Sequence, residues 1–455
     1  MAQLEALVLR LQARMEVLEA ENARLRKNSS NSHKPPSSDI VKPPAAPPSD
    51  GSKRKIGGQP GHARRERAPY PPDEIDRAVE FTMERCPVHG GRLQPSSEPP
   101  RVVQQVDLVD KPVIVTEYRA LAYWCPDCRT LHYAPLPPEV VACGLVGPRL
   151  MALIAYLKGG AHASYATLQN LLRDVLRLPL STGQIAKVIA KARRALDPSY
   201  EELRRSLPAQ KRLNIDETGH KECGKGFWTW AFRASRFTLF KIDESRGSGV
   251  LHGMLGRNFR GAIGCDYFSA YRKYIDETGV AAQFCLAHLI RDVKFLLALP
   301  SSTTRRYGRR LLEALRNLFR VIHRRAEMAT ARFHRALECA HRGVLAAALH
   351  PTWTPEAAAL AERFRERGEA YFQFITTPGL EPTNNLAEQA LRYVVIDRRI
   401  TQGTRGPAGR AWCERIWTAA ATCAQQGRSL FNFLCQAIHA NVSGRPAPSL
   451  RFSPS

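Results

Sequence analysis

Two apolar runs in the middle of the chain each end on an aspartate. Leu213 and Ile215 alternate with polar neighbours and lead to Asp216, and Gly219 then breaks the pattern. We therefore expect a buried strand that ends on Asp216. A second run, GAIGCD, ends on Asp266. Carboxylate oxygens are the ligands that Mg²⁺ prefers, so the two runs predict metal-binding acids at the edge of a sheet.

A third carboxylate lies in the motif TNNLAEQALR, where Thr383 or Asn384 can cap the start of a helix. Asn384, Glu388 and Arg392 follow one another at i, i+4 and i+8 and so share one helix face. An amide, a carboxylate and a guanidinium on one face make a poor core and a good site for a phosphate and a metal ion. A solvated helix face is the alternative interpretation.

The segments around the two aspartates predict a sheet. Two strand-like runs, 226–233 and 237–243, follow Asp216, and a short helix precedes the run that ends on Asp266. Three strands, a helix and a fourth strand, with Asp on the first and fourth, is the order of a ribonuclease-H-like sheet. Its first and fourth strands can lie side by side, which would bring Asp216 and Asp266 together.

A helical insertion is predicted at residues 303–375, before the third carboxylate. Its first part, 303–343, holds eleven arginines against three glutamates, a net charge of +8. The arginines would cover the face opposite an apolar stripe. That stripe consists of Leu311, Leu315, Leu318 and Ile322.

The composition indicates an anionic polymer as partner. Lys and Arg number 67 against 42 acidic residues, which gives a net charge of +25. We expect nucleic acid and not a membrane, because the charge is spread along the chain and no apolar run reaches the roughly 18 residues that span a bilayer. Eleven cysteines and an N-terminus without an apolar signal core predict a cytoplasmic protein.

Residues 1–27 have the heptad pattern of a leucine zipper. Leucines recur every seven residues, and Asn22 falls at the other inward position, a combination that favours a parallel two-stranded coiled coil. The repeated leucines are Leu4, Leu11, Leu18 and Leu25. A homodimer is therefore predicted, and an amphipathic helix packed on the protein's own core is the alternative.

Residues 28–80 predict a linker, rich in Ser and Pro at first and basic later. A flexible basic segment can settle along a phosphate backbone, and a merely solubilising tail is the alternative. The predicted DNA-binding residues here are Lys53, Arg54, Lys55, Arg64 and Arg65.

Two knuckles with metal-ligand spacing lie in residues 81–140 and predict a zinc ribbon. The predicted ligands are Cys86, His89, Cys125 and Cys128, and His132 is a substitute for His89. Alternating runs at 102–109 and 113–123 predict a β-hairpin between the knuckles. A closed four-ligand zinc site is structural. Coincidental thiols are the alternative interpretation.

Residues 145–205 predict three short helices that resemble a helix-turn-helix module, with a start signal for the third at Ser181-Thr182-Gly183. Lys187 and Lys191 on the third helix are candidate DNA contacts. A purely structural three-helix bundle would have the same apolar pattern.

Together these motifs resemble the transposases of the insertion sequence 66 family, within the Asp-Asp-Glu transposase and integrase group. The resemblance covers almost the whole chain. It rests on the zipper, the knuckles, the helical module, the linker motif NSSNSHKPPSSD, the motif GGQPGH, Ile215-Asp216-Glu-Thr, and Asn384-Asn385-x-x-Glu388.

The resemblance implies Asp216, Asp266 and Glu388 as a catalytic triad that binds two Mg²⁺ or Mn²⁺ ions. It places them in a ribonuclease-H-like core at 206–402, followed by C-terminal helices and a tail at 403–455. It also implies that Cys285 and His288 form a Cys-x-x-His element, for which an ordinary core pair is the alternative.

The implied activity is hydrolysis at the ends of an insertion sequence, followed by attack of the freed 3′-hydroxyl on target DNA. The implied partners are double-stranded DNA of the element ends and of the target, a second copy of the chain, and accessory proteins encoded by the same element. The expected location is the bacterial cytoplasm, at the nucleoid when DNA is bound. A non-catalytic DNA-binding regulator and a nuclease without strand transfer are the alternatives.

Overall fold

The structure is a computed structural model that describes residues 2–25, 68–94, 96–109, 111–350 and 354–451. The chain divides into two compact units. One unit is Met1–Pro43 together with Glu117–Ser455, and the other is Pro44–Thr116.

A five-stranded mixed sheet forms the centre of the larger unit. Its strands are β3 (Arg212–Glu222), β4 (Lys225–Arg233), β5 (Thr238–Asp243), β6 (Ala262–Cys265) and β7 (Ala281–Phe284). In space they follow the order β5-β4-β3-β6-β7. The first three strands pair antiparallel, whereas β6 runs parallel to β3 and β7 runs parallel to β6. The prediction that the strands of Asp216 and Asp266 are neighbours is confirmed.

The prediction that the first strand ends at Asp216 is wrong. β3 continues to Glu222 because β4 pairs with it throughout, from Asn214 opposite Arg233 to Glu222 opposite Lys225. Only the parallel side ends early, since the pairing of β3 with β6 stops at Asn214 opposite Gly264. Asp216 therefore lies where one side of β3 becomes open.

Helices pack against the sheet and along its edge strand β5. Two helices, α6 (Ser248–Leu255) and α7 (Ser269–Thr278), connect the strands, and α13 (Asn385–Thr401), α14 (Pro407–Gln426) and α15 (Leu430–Val442) follow the insertion. α14 and α15 are the predicted C-terminal helices, and α14 packs on the edge strand β5.

Side chains of α14 accept hydrogen bonds from the edge of β5. Glu414 accepts from the backbone N–H of Ile242 at 2.8 Å, Thr418 from Phe240 at 3.0 Å, and Thr422 from Thr238 at 3.2 Å. The three acceptors recur every four residues, so one helix row satisfies every second N–H of the strand. An edge strand covered in this way has few free groups with which to pair with another chain.

Four helices form the module before the sheet. They are α2 (Pro138–Cys143), α3 (Pro148–Gly159), α4 (Tyr165–Asp174) and α5 (Thr182–Ser206). The predicted start of the long helix is confirmed, because Ser181 and Gln184 form a reciprocal capping box. An N-terminal helix, α1 (Ala2–Leu25), precedes them in sequence.

The prediction that no apolar stretch has the length of a membrane span is wrong. Pro138–Gly159 is long and apolar enough by length and composition. Glycines at 144 and 147 divide it into α2 and α3, however, and α3 packs Met151 and Ile154 in the protein core. It is therefore part of a folded helical module and not one continuous helix.

The β-hairpin predicted from runs 102–109 and 113–123 is also wrong. Among the described residues of those runs, only the last two lie in a strand, β1 (Ala122–Cys125). That strand pairs instead with β2 (Thr130–Tyr133). The alternating side chains, among them Val103 and Ile114, are exposed. The short connection from Cys125 to Thr130 lets β1 pair with the segment that directly follows it in sequence.

The predicted helical insertion is present. Its helices are α8 (Leu286–Leu297), α9 (Ser302–His323), α10 (Thr330–Leu349), α11 (Pro355–Arg367) and α12 (Gln373–Thr376). Short 3-10 turns lie at Arg325–Glu327 and Gly368–Tyr371, and others at Pro72–Glu74 and Leu207–Ala209. As predicted, Leu311, Leu315 and Leu318 are buried.

Candidate active site

Asp216 and Asp266 come together through the register of β3 and β6. Residues of the two strands pair with an offset of fifty positions, from Arg212 opposite Ala262 to Asn214 opposite Gly264. Asp216 and Asp266 continue that offset two residues further on. The Asp266 carboxylate accepts a hydrogen bond from the backbone N–H of Phe268 at 2.9 Å, which fixes the loop after β6.

Asn384 brings the third carboxylate to the same edge. Its side chain donates to the carbonyl of Ile215 at 2.7 Å and accepts from Asn214 at 3.0 Å. Asn384 is buried at the N-cap position of α13, but its side chain does not cap the helix. The predicted helix start is therefore correct, whereas the predicted capping role of Asn384 is wrong, because β3 satisfies this amide.

Gly264 makes room for this anchor. A Cβ atom at Gly264 would lie 2.7 Å from Nδ2 of Asn214, the atom that donates to Asn384. Only glycine leaves that hydrogen bond intact at this close approach between the strands. The start of α13 is thus tied directly to β3, one residue before Asp216.

The middle of α13 is held by the helical module and by α14. Asp397 pairs with His162 at 3.1 Å and accepts a hydrogen bond from the Trp417 indole at 3.2 Å. The hydroxyl of Tyr393 donates to the carbonyl of Gly159, at the end of α3. The helix that bears Glu388 is therefore fixed at both its start and its middle.

Glu388 points into a partly buried polar cluster. Its Oε1 lies 3.7 Å from Nδ1 of His288, and its Oε2 lies 3.6 Å from Nη2 of Arg291. Arg291 is also 3.2 Å from Nε2 of His288. Ligand atoms of Cys285, His288 and Glu388 all lie within 4.8 Å of one another. Sequence reasoning singled out Cys285 and His288 but missed Arg291, one turn further along α8.

Cys285 differs chemically from the acids beside it. Burial raises the pKa of its thiol to about 11, so the sulfur stays protonated at neutral pH. The sulfur also accepts a hydrogen bond from the backbone N–H of Asn384 at 3.1 Å. Cys285 therefore ties the start of α8 to the start of α13.

Glu217 is a further buried acid that sequence reasoning missed. Arg246 donates to it at 2.8 and 2.9 Å, and the hydroxyl of Tyr271 donates at 2.5 Å. The Arg246 guanidinium lies in turn over the ring of Phe268, 3.9 Å from its centroid. The Glu217 charge is therefore already partnered, which makes it a support for Asp216 and not a free ligand. The only signal in the sequence is its position next to Asp216.

The carboxylates of the site repel one another. Burial raises the pKa of Asp216 well above its usual range, and the charges of Glu217, Asp266 and Glu388 raise it further. The hydrogen bond from the Glu217 backbone N–H to Asp216 Oδ1, at 2.9 Å, acts in the opposite direction. Burial, and then the charge of Asp266, also raises the pKa of Glu217. Folding thus concentrates negative charge that the chain neutralises only in part.

The donor set fits a hard divalent cation. Asp216, Asp266 and Glu388 supply carboxylate oxygens, which suit Mg²⁺ and Mn²⁺. Oε1 of Glu388 is buried and accepts no hydrogen bond from the described residues. A buried carboxylate oxygen without a donor is costly unless a cation satisfies it.

The two knuckles have the local geometry of metal-binding turns, each within its own unit. In one, Sγ of Cys86 lies 3.4 Å from Nδ1 of His89, and backbone N–H groups lower the pKa of the Cys86 thiol. In the other, ligand atoms of Cys125, Cys128 and His132 lie within 4.8 Å of one another. His132, the predicted substitute ligand, thus joins the second cysteine pair.

The predicted DNA-binding residues differ in their surroundings. Lys187 is exposed on α5 and Arg392 is exposed on α13. Lys191 instead donates to the carbonyls of Ala142 and Cys143 at 2.7 and 2.9 Å, at the end of α2. The basic linker residues, Lys53, Arg54, Lys55, Arg64 and Arg65, lie outside the described part of the chain.

Comparison with known proteins identifies the family to which the chain belongs. The family described as "Transposase IS66 family" matches residues 143–411, which include all three carboxylates. The chain therefore belongs to the IS66 transposase family. Residues 1–68 match a second family, described as a family of unknown function, DUF6444.

A curated relative is also similar. It is the "Uncharacterized protein y4hP" of Sinorhizobium fredii (strain NBRC 101917 / NGR234), 26% identical over 372 residues. The similarity covers 73% of this chain and 66% of the relative, so the chain spans just under two thirds of that protein.

The Asn384 anchor leads to a prediction about stability. Asn384→Asp replaces the amide donor by a carboxylate oxygen that faces the carbonyl of Ile215, so we expect a loss of about 1–3 kcal/mol. Asn385→Asp is the matched control, because Asn385 is exposed in the first turn of α13, where negative charge is tolerated. Thermal unfolding of both variants measures the difference. Equal unfolding temperatures would contradict the anchor.

The raised pKa of Asp216 leads to a prediction about pH. The folded protein holds this proton more tightly than the unfolded chain does, so the site loses stability as pH rises from about 4 through the folded pKa. Asp216→Asn removes that loss. In EDTA we expect the variant to unfold at a higher temperature than the wild type at neutral pH, with a smaller difference near pH 4. A difference that does not change with pH would contradict the electrostatic explanation.

Proposed function

We propose that this member of the IS66 transposase family is a DNA transposase whose ribonuclease-H-like core uses Asp216, Asp266 and Glu388 as its catalytic triad. The observation that carries the proposal is their convergence. Asp216 lies in β3 just beyond its parallel pairing with β6, Asp266 directly follows β6, and Asn384 ties the helix of Glu388 to β3. The strand order and the insertion before α13 support the same proposal.

The three carboxylates would hold two Mg²⁺ or Mn²⁺ ions. When bound, such ions activate a water or a 3′-hydroxyl and stabilise the leaving oxygen of a phosphodiester. The mutual repulsion of the acids supports this role, because cations relieve it. Hydrolysis at an element end and strand transfer into target DNA would then take place in one site, without a covalent bond to the protein.

Neighbouring side chains have supporting roles. Arg291 and His288 face Glu388 and fix its orientation, while Arg246 and Tyr271 hold Glu217 and with it the strand position next to Asp216. Arg392 lies one turn beyond Glu388 and is exposed, a position from which it would contact a phosphate of the bound DNA.

The other parts of the chain would bring DNA and a second subunit to the site. We assign DNA contacts to the basic linker residues and to the exposed Lys187 of α5, and α4 and α5 would act as a helix-turn-helix-like pair. Leu11, Leu18 and Leu25 are exposed on α1. This exposure is what a leucine zipper requires if a second copy of the helix is to pack against it. The predicted ligands Cys86, His89, Cys125 and Cys128 would bind structural Zn²⁺. Accessory proteins of the same element would complete the assembly.

Loss of the third carboxylate should abolish cleavage. Glu388→Gln keeps the shape of the side chain and removes the charge that cations need, so we expect cleavage to fall by roughly 100-fold or more. Glu381→Gln, an exposed position just before α13, is the matched control. The substrate is a plasmid carrying the DNA ends that flank the gene, incubated with Mg²⁺ and the full chain.

The outcomes separate the candidate functions. The transposase proposal requires that Glu388→Gln binds the ends without cutting them, while the wild type and the control cut them and join them to a target. Cutting without joining would favour a nuclease. If the wild type binds and never cuts, even with the neighbouring gene products added, a non-catalytic regulator is favoured.

A further inference from the structure

One face of α9 is lined with arginines. Four exposed arginines follow one another at intervals of three, seven and four residues: Arg306, Arg309, Arg316 and Arg320. Glu313 lies between the second and third of them, four residues after Arg309 and three before Arg316, so all five side chains lie along one helix face. We name these four arginines the arginine stripe. The opposite face packs Leu311 and Leu315 in the core of the insertion, so the stripe points to solvent.

The stripe is not used to hold the fold together. Two other arginines of α9 make the structural contacts, since Arg305 donates to the carbonyl of Leu299 at 2.8 Å and Arg310 donates to that of Ala347 at 3.1 Å. Within the described part of the chain, by contrast, Arg306 and Arg309 make no hydrogen bond or ion pair. Their charges are therefore available to a partner.

The remaining two arginines of the stripe are held only weakly. Glu313 pairs with Arg316 at 3.8 Å and with Arg320 at 2.5 Å, and all three side chains are more than half exposed. Exposed ion pairs of this kind contribute little to stability, about 0–1 kcal/mol. A polyanion would therefore compete readily with Glu313 for both guanidinium groups.

The helix that carries the stripe is joined rigidly to the active site. α8 begins beside Asn384 and carries His288 and Arg291, the two residues that face Glu388. α9 packs closely on α8, since a Cβ atom at Gly308 would lie only 3.2 Å from Cβ of Leu296. DNA bound by the stripe would therefore be held at a fixed position relative to the carboxylates.

We propose that the arginine stripe binds the phosphate backbone of target DNA, an inference that rests on the proposed function. The stripe extends over about 21 Å, or about six base pairs of duplex. Guanidinium groups that contact phosphates fix the position of a duplex without reading its sequence. Contacts of that kind suit a target, whereas the element ends have the linker and α5 as their proposed binding elements.

Charge removal along α9 tests the proposal. The stripe variant combines Arg306→Gln, Arg309→Gln, Arg316→Gln and Arg320→Gln, substitutions that keep helix propensity. The charge-matched control removes four arginines from other exposed positions, Arg236, Arg257, Arg260 and Arg451. Three quantities are measured for each protein: cleavage of element ends, strand transfer of pre-cut ends into an unrelated plasmid, and salt-dependent binding of an unrelated 40-base-pair duplex.

We expect the stripe variant to cleave ends like the wild type and to require roughly tenfold or more target DNA for strand transfer. The slope of log K for duplex binding against log salt concentration should become less steep by up to about 3.6, since each of up to four lost phosphate contacts contributes about 0.9. The control should change less in both assays. That difference would separate the stripe from the general effect of net charge.

Three results would overturn the proposal. Strand transfer and salt dependence equal to those of the control would make the stripe an ordinary solvated face or a site for another partner. Loss of end cleavage in a folded variant would assign the stripe to element-end DNA. If the wild type cleaves nothing, the proposed function fails separately, and an unchanged salt dependence of duplex binding would still overturn the stripe as a DNA surface.

Discussion

Mutual repulsion among closely spaced carboxylates is the constraint on which the centre of this fold depends. Burial raises the pKa of Asp216, and the charges of Glu217, Asp266 and Glu388 raise it further. Burial and the charge of Asp266 also raise the pKa of Glu217. Such a group of acids stays together only if other interactions hold each backbone in place. The packing and hydrogen bonds around the site can be understood as that support.

Each acid has its own support, and none of the supports neutralises the whole group. Asn384 ties α13 to β3, Arg246 and Tyr271 satisfy Glu217, and Arg291 and His288 face Glu388. Further away, α14 covers the edge of β5, and Asp397 fastens α13 to His162 and Trp417. The negative charge that remains is available to cations and, through them, to a phosphodiester. The backbone of the site is therefore held in place while its carboxylates still lack full neutralisation.

Sequence patterns predicted those parts of the structure that depend on local order. The helix start at Ser181 and the apolar stripe of α9 follow from short-range spacing. The pairing of the strands that lead to Asp216 and Asp266 was predicted from the order of a ribonuclease-H-like sheet. Patterns failed where the choice of pairing partner decides the extent of a strand. β3 runs past Gly219 because β4 pairs with it, and the alternating runs near Val103 and Ile114 form no hairpin because the strand at the end of the second run pairs with β2 instead.

The same distinction applies to the site. The three carboxylates and the element at Cys285 and His288 were visible in the sequence, because each stands in a recognisable motif. Three interactions were not visible: the hydrogen bond of Asn384 to β3, the hydrogen bond of Tyr271 to Glu217, and the approach of Arg291 to Glu388. Each joins side chains that are far apart in sequence and meet only after folding. Residue types predict the chemistry of a site better than they predict what holds it in place.

The most direct test of a shared cation site is crystallographic. Crystals of the full chain grown with Mn²⁺ should show anomalous density bounded by the carboxylates of Asp216, Asp266 and Glu388, and the same density should disappear in Asp216→Asn. Mn²⁺ bound elsewhere, with these carboxylates bare at millimolar concentration, would contradict the account. Density that persists in the variant would remove Asp216 from the site.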